Sequence, residues 1–250
     1  MSGCARLVTL VLALAMASAV SADSIISSTA TNFSALKAGA TLPSTFKPLT
    51  VANISPNQFS LVDDTGNTVL RVESNQSAST IVLPLQIDPT QTPLLSWRWK
   101  VSRTITKADI NTKAGDDFAA RVYVIFDVPL DSLSFSDRTK IRLTRFVSGA
   151  EVPTAAICYV WDNKSAIGAN RWSPFTDRVR IIVLQSGDGK TNQWQQQTRD
   201  VAADFRAAFG SEPPRVTAVA IGSDTDQTKE HATTWFGDFV FQKLAPSRQP

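Results

Sequence analysis

The sequence is poor in the residues that build metal sites and disulfides. Its 250 residues include a single histidine, His231, and two cysteines, Cys4 and Cys158. One imidazole does not supply the three protein ligands of a catalytic zinc site, and His231 has no evident serine or cysteine partner in the sequence. Cys4 lies in the N-terminal segment that is predicted to be removed with a signal peptide, which leaves only Cys158, in an apolar strand. The sequence therefore predicts no internal disulfide and a buried, inert thiol.

Net charge and long hydrophobic runs are scarce as well. The chain carries 25 basic and 22 acidic residues, for a formal net charge of +3. This near balance argues against a dedicated nucleic-acid-binding protein. Beyond the N-terminus no apolar run is long enough to span a bilayer, so we expect no membrane insertion once the N-terminal segment is removed.

The N-terminal segment has the pattern of a cleaved signal peptide. Arg6 precedes the apolar run Leu7–Ala17, and the small residues Val20-Ser21-Ala22 follow. This arrangement predicts a signal peptide at residues 1–22 and a periplasmic or secreted protein. Because Arg6 is the only charged residue removed, the formal charge of the mature chain falls from +3 to +2.

The remainder of the chain is dominated by segments in which apolar and polar residues alternate. Residues 23–45 are rich in serine, threonine and alanine and are predicted to form a loose N-terminal leader. Nine or ten strands are expected in residues 46–245, together with a helix at 199–209 and a second short helix or surface excursion within 131–149. This pattern predicts a mainly β domain, a two-sheet antiparallel sandwich of the jelly-roll kind with one or two short helices.

Several segments, in a fixed order, carry a resemblance to a known family. They include Ser96–Lys100, Gly115–Asp117, Arg121–Phe126, Cys158–Trp161, Arg199–Val201 and Asp224–Asp226. Over about residues 45–243 the chain resembles the exported bacterial family catalogued as domain of unknown function 3047. The resemblance implies an exported, single-domain, mainly β protein, and it carries over no catalytic residue. The chain is also similar in outline to carbohydrate-binding jelly-roll modules, a likeness of fold that does not determine function.

Basic and aromatic side chains recur on one face of the predicted strands. Successive residues of a strand point to opposite faces, which assigns Trp97 and Trp99 to the apolar core. If the strands are neighbours, the opposite face gathers Arg98, Lys100, Arg121, Tyr123, Tyr159, Trp161, Arg178 and Arg180. Guanidinium groups bind carboxylates and sulfates, and flat rings stack on sugars. We therefore predict a non-catalytic protein that binds a glycan or another anionic envelope ligand on this face.

Two alternatives to binding stay open. The first is a lyase or hydrolase that acts on an acidic polysaccharide. Its carboxylates would come from Asp116, Asp117, Asp200, Asp204, Asp224, Asp226 and Glu230, and the pair is not determined by sequence because hydrolysis depends on their separation. The second is a structural envelope protein without a ligand, in which the basic residues are solvated or paired across strands.

No cofactor motif is present. Asp224–Thr228 places oxygen ligands at alternate positions, as calcium loops do, but it lacks the glycine and the final glutamate of the helix-loop-helix site. We therefore expect no cofactor, with calcium at this loop as the alternative. The sequence sets no oligomeric state.

Overall fold

The computed structural model of the protein describes residues 27–133, 138 and 154–244. Numbered in chain order, the strands are β1 (Ser27–Thr29), β2 (Lys47–Thr50), β3 (Gln58–Asp64), β4 (Asn67–Asn75), β5 (Ala78–Ile87), β6 (Leu94–Val101), β7 (Phe118–Phe126), β8 (Ala155–Asp162), β9 (Asn170–Ser173), β10 (Thr176–Ser186), β11 (Gln195–Asp200), β12 (Val216–Asp224), β13 (His231–Phe236) and β14 (Val240–Gln242). The described helices are α1 (Val201–Phe209) and the 3₁₀ turns Phe33–Ala35, Lys113–Gly115 and Leu130–Ser132.

The strands form two sheets that face each other. Sheet A has the order β1-β14-β6-β13-β4-β3, with β11 also paired to β6, and sheet B has the order β2-β5-β12-β7-β8-β10-β9. The prediction of a mainly β, two-sheet sandwich of the jelly-roll kind is confirmed. One pair departs from the antiparallel expectation, since β8 and β10 run parallel. No helix among the described residues has the length and apolarity needed to cross a membrane.

The single described α-helix matches its prediction with a shorter N-terminus. It begins at Val201, because Arg199 and Asp200 still belong to β11. The Asp200 carboxylate accepts a hydrogen bond from the amide of Ala203 and caps the helix. Gly210 ends it in the left-handed conformation, with φ of 70°. The signal peptide and nearly all of the second predicted helix region, 131–149, lie outside the described residues.

The core lies between the inner faces of the two sheets. Trp97 and Trp99 of β6 are 1% and 0% exposed, which confirms their assignment to the core. Trp97 stacks on Phe239 and also contacts Tyr159 of the facing sheet. Aromatic pairs of this kind stabilise a core beyond the effect of burial alone.

Part of the segment predicted to be a loose leader, residues 23–45, lies against the core. Strand β1 pairs with β14, and the Phe33 side chain is fully buried. The Phe33 ring stacks on Phe46 at 5.4 Å. The polar composition of the segment concealed this anchor, because a single buried phenylalanine is enough to hold a short segment against the core.

Candidate functional site

A groove of about 690 Å³ crosses the outer face of sheet B. Its floor is formed by small apolar side chains, since Val82, Ala218 and Ala220 lie side by side on β5 and β12. One wall is formed by residues around β2, where Leu49 and Val51 are exposed. A volume in this range, with a mostly apolar lining and a few polar groups, is typical of ligand sites.

A buried arginine closes one end of the groove. The Arg121 side chain is 5% exposed and forms a bidentate pair with Asp224, with Nε–Oδ1 at 2.7 Å and Nη2–Oδ2 at 2.6 Å. Nη2 also donates to the carbonyl of Asp116 and lies 3.3 Å from Oδ1 of its carboxylate. Nη1 donates to the Tyr123 hydroxyl at 3.2 Å. Each of the three guanidinium nitrogens therefore has a partner within the protein, and Nη1 holds the phenol at the groove.

Four carboxyl groups surround this one arginine. Asp116 and Asp224 contact it, Asp117 interacts electrostatically with both of these carboxyl groups, and Asp226 interacts with Asp117 and with Arg121. The pKa of Asp224 is raised to about 7 as the net result of burial, which raises it most, of Arg121, which lowers it, and of Asp116 and Asp117, which raise it. Burial also raises the pKa of Asp116 above its usual range. With Lys229 acting on Asp226, four acids face two basic groups at this end of the groove, and this excess disfavours an anionic ligand.

Burial also controls the other titratable groups beneath the groove. It raises the pKa of Tyr123 well above its usual range, so the phenol is a neutral hydrogen-bonding group at physiological pH. Cys158 is fully buried, and burial raises the pKa of its thiol to about 12. The structure thus agrees with the expectation of a buried, inert thiol.

A family model described as "Protein of unknown function (DUF3047)" matches residues 44–240. The chain belongs to the DUF3047 family. No curated protein matches it.

Several solved structures resemble this DUF3047 protein in architecture. A family 30 carbohydrate-binding module from a cellulosomal cellulase of Clostridium thermocellum is 12% identical, with 90% of this chain and 100% of that chain covered and a TM-score of 0.39. Endoglucanase 3 of Trichoderma harzianum, from family GH12, is 7% identical over 81% and 100% of the two chains, with a TM-score of 0.41. The cellulose induced protein Cip1 is 11% identical over 78% and 90%, with a TM-score of 0.32. At these identities and scores the similarity concerns the sandwich alone.

The structure divides the eight predicted ligand-binding residues among four places, so the prediction of one shared face is wrong. In the DUF3047 protein, β6 belongs to sheet A and β7 to sheet B. Arg98 and Lys100 therefore lie on the outer face of one sheet, and Arg121 and Tyr123 on the outer face of the other. Consecutive strands entered different sheets, and their polar faces consequently point in opposite directions.

Tyr159 and Trp161 lie in the interior rather than on a surface. Every residue of β8 is buried, and both aromatic side chains belong to the core between the sheets. The Tyr159 hydroxyl donates to Asp204 at 2.6 Å, and Trp161 donates to the carbonyl of Gly187 at 3.1 Å. Both faces of β8 are apolar, so alternation alone did not reveal which face was inward.

Arg178 and Arg180 lie near the free edge of sheet B, away from the other predicted residues. They share a face of β10 with Ile182, which points into the core. Nearby are Trp172 and Phe209, whose rings contact the two guanidinium groups. Sequence reasoning missed Trp172. The available signal was an aromatic residue next to Arg171 and close in sequence to Arg178 and Arg180.

The sheet A face carries two tryptophans that sequence reasoning also missed. The Lys100 ammonium lies 4.9 Å from the ring centroid of Trp194 and 4.8 Å from that of Trp235. Lys100 is paired with Asp64 at 2.9 Å, and Arg98 stacks on Trp194 at 4.5 Å. The two predicted cations of the sheet A face, Arg98 and Lys100, are thus already in contact with neighbouring side chains of the protein.

Among the remaining predicted acids of the DUF3047 protein, Asp200, Asp204 and Glu230 have structural partners, whereas Oδ1 of Asp226 is buried without a hydrogen-bond partner in the described part of the chain. Asp204 pairs with Arg199, and Glu230 pairs with Arg103 at 3.1 Å. Both oxygens of Asp224, one of the ligands in the calcium alternative, contact Arg121. Across residues 27–133 and 154–244, no group of three or more histidine, cysteine or acidic side chains is arranged to hold a metal ion.

Proposed function

We propose that this DUF3047 protein binds a neutral glycan in the groove of sheet B, without catalysis. The observation that supports this proposal is the lining of the groove, which combines a flat apolar floor with hydroxyl groups and an anchored phenol. A sugar ring presents the complementary surfaces, an apolar face and a rim of hydroxyl groups. The excess of carboxyl groups around Arg121 favours a neutral ligand over an acidic one.

Filling the groove is expected to abolish glycan binding. Thr80 lies on the floor, and Thr80→Trp would occupy the space that a sugar ring needs. Tyr123→Phe removes the phenol hydroxyl and with it one hydrogen bond to the sugar, so the affinity of this variant for the glycan is expected to fall by about fivefold to tenfold. Affinity gel electrophoresis with hydroxyethylcellulose, xylan and galactomannan measures both effects.

The matched control is Thr198→Trp, which adds the same side chain at an exposed position of β11 in the opposite sheet. This variant is expected to bind as the wild type does. The proposal is rejected if the wild type binds none of the neutral polysaccharides, or if Thr80→Trp binds them unchanged.

Polysaccharide cleavage is the second candidate, and it rests on Asp224. Its carboxyl group lines the groove, and its pKa of about 7 suits a general acid or base near neutral pH. Tyr123 and Arg121 also lie together at the groove, as lyase chemistry would need. Incubation with polygalacturonate, alginate and xylan should then release reducing or unsaturated ends, and Asp224→Asn should stop their release. Absence of product from every polymer with the wild type would eliminate this candidate.

Export is proposed on the N-terminal pattern of Arg6, the apolar run and the small residues before Asp23. We expect the mature protein in the periplasm or the medium to begin at Asp23. Mass spectrometry of the N-terminal peptide from cell fractions measures this. A cytoplasmic protein that retains residues 1–22 would contradict the proposal.

A further inference from the structure

The free edge of sheet B carries two basic side chains that the groove does not use. Arg178 and Arg180 are two residues apart on β10, so they project from the same face of the strand. Strand β9 completes the sheet at this edge, and its Trp172 lies directly opposite Arg180. The end of helix α1 brings Phe209 to the same place.

Aromatic rings hold both guanidinium groups in position. The Arg178 Cζ atom lies 5.3 Å from the ring centroid of Phe209, and the Arg180 Cζ atom lies 4.9 Å from that of Trp172. The two rings meet edge to face at 5.4 Å. Cation–ring contacts of this kind reduce the freedom of the arginine side chains before a ligand arrives, which favours binding.

The two arginines differ in their partners from most other half-buried cations of the described residues, among which only Arg98 also has no carboxylate partner. Within residues 27–133 and 154–244, Lys100 and Arg199 each pair with an aspartate, whereas no carboxylate lies within 4.0 Å of Arg178 or Arg180. Arg178 Nε donates to the carbonyl of Thr154 at 2.7 Å, and Arg180 Nη2 donates to the side-chain oxygen of Asn170. Both side chains therefore keep N–H donors without a partner in the described part of the chain.

We propose that Arg178 and Arg180 bind a carboxylate or sulfate group of an acidic polysaccharide. Two like charges on one strand face repel each other, and a bound anion would remove that repulsion. Guanidinium groups pair with the two oxygens of such an anion, and Trp172, which is 37% exposed, offers a ring surface to the adjoining sugar. This site lies beyond the proposed function, because a neutral glycan in the groove has no group for it.

Dextran sulfate, polygalacturonate and uncharged dextran are the probes for this site. We expect the wild type to bind the two charged polymers, with binding weakened at ionic strengths above about 0.15 M. Arg178→Ala and Arg180→Ala should each reduce affinity about tenfold, because each removes charge-assisted hydrogen bonds. Arg178→Lys and Arg180→Lys should retain part of the affinity, since lysine keeps the charge and loses the planar fork.

Arg71→Ala is the matched control, because it removes the same charge from sheet A. It should leave binding of dextran sulfate within twofold of the wild type. The proposal would be overturned if Arg71→Ala lost as much affinity for dextran sulfate as the two edge variants do. Equal binding of uncharged dextran by the wild type, or tighter binding of anionic phospholipid vesicles, would also overturn it.

The groove variant Thr80→Trp separates this proposal from the preceding one. It should lose the neutral glycans and keep dextran sulfate. Loss of dextran sulfate in Thr80→Trp, with Arg178→Ala and Arg180→Ala unaffected, would place the anion in the groove and refute the edge site. Failure to bind neutral glycans, with dextran sulfate retained through the two arginines, would instead refute only the groove proposal.

Discussion

Replacing Arg121 with methionine is expected to lower the free energy of unfolding by about 3–5 kcal/mol at pH 8. The substitution preserves the length and most of the volume of the side chain but removes the only cation among the described residues that contacts Asp116 and Asp224. Both carboxyl groups would then be buried without a counter-charge. Denaturant unfolding followed by circular dichroism measures the change.

The matched control for this prediction is Arg71→Ala, which breaks a pair with Glu73 that is 36% and 42% exposed. It is expected to cost less than about 1 kcal/mol, because solvent screens an exposed ion pair. Adding Asp224→Asn to Arg121→Met should recover part of the lost stability, since it removes one of the unpaired charges. A loss below about 1 kcal/mol in Arg121→Met would show that the arginine is not the structural partner of these acids.

Raising the pH from 5 to 8 is expected to destabilise the wild type more than Asp224→Asn. The pKa of Asp224 rises from 3.8, its ordinary value, to about 7 in the folded protein. Between these values the folded state retains a proton that the unfolded state has released, so stability falls as the pH rises through about 7. With the side chain 18% exposed, we expect a difference of about 2 kcal/mol between the two proteins, or about 4–8 °C in Tm.

Thermal unfolding of both proteins across this pH range measures the effect. Asp177→Asn, which changes an exposed aspartate on β10, is expected to follow the wild type. Identical pH profiles for the wild type and Asp224→Asn would contradict the assignment of a raised pKa to Asp224. The cost of Arg121→Met should also be smaller at pH 5, where Asp224 is protonated without its partner.

The placement of Arg121 shows where alternation along a strand succeeds and where it stops. The pattern correctly put Arg121 and Tyr123 opposite the apolar side chains of β7. If Arg121 belonged to an open sheet face, as the sequence predicted, its substitution by alanine would change Tm little. In the structure it is buried among acids that come from a loop and from β12. Sequence distance concealed this, because Asp224 follows Arg121 by 103 positions.

The resemblance to the family came from the ordered segments between Ser96–Lys100 and Asp224–Asp226. Alternation and end signals were sufficient for the fold class, the strand faces of β6 and β7, and the helix near 201–209 with its C-terminal end at Gly210. These properties depend on local geometry, since side chains alternate along a strand and backbone groups need partners at helix ends. Tertiary structure alone decided three other properties. These are the sheet that each strand joins, the inward face of the fully apolar β8, and the meeting of four acids around Arg121. They depend on contacts between distant segments, and the local pattern is the same whichever sheet a strand joins.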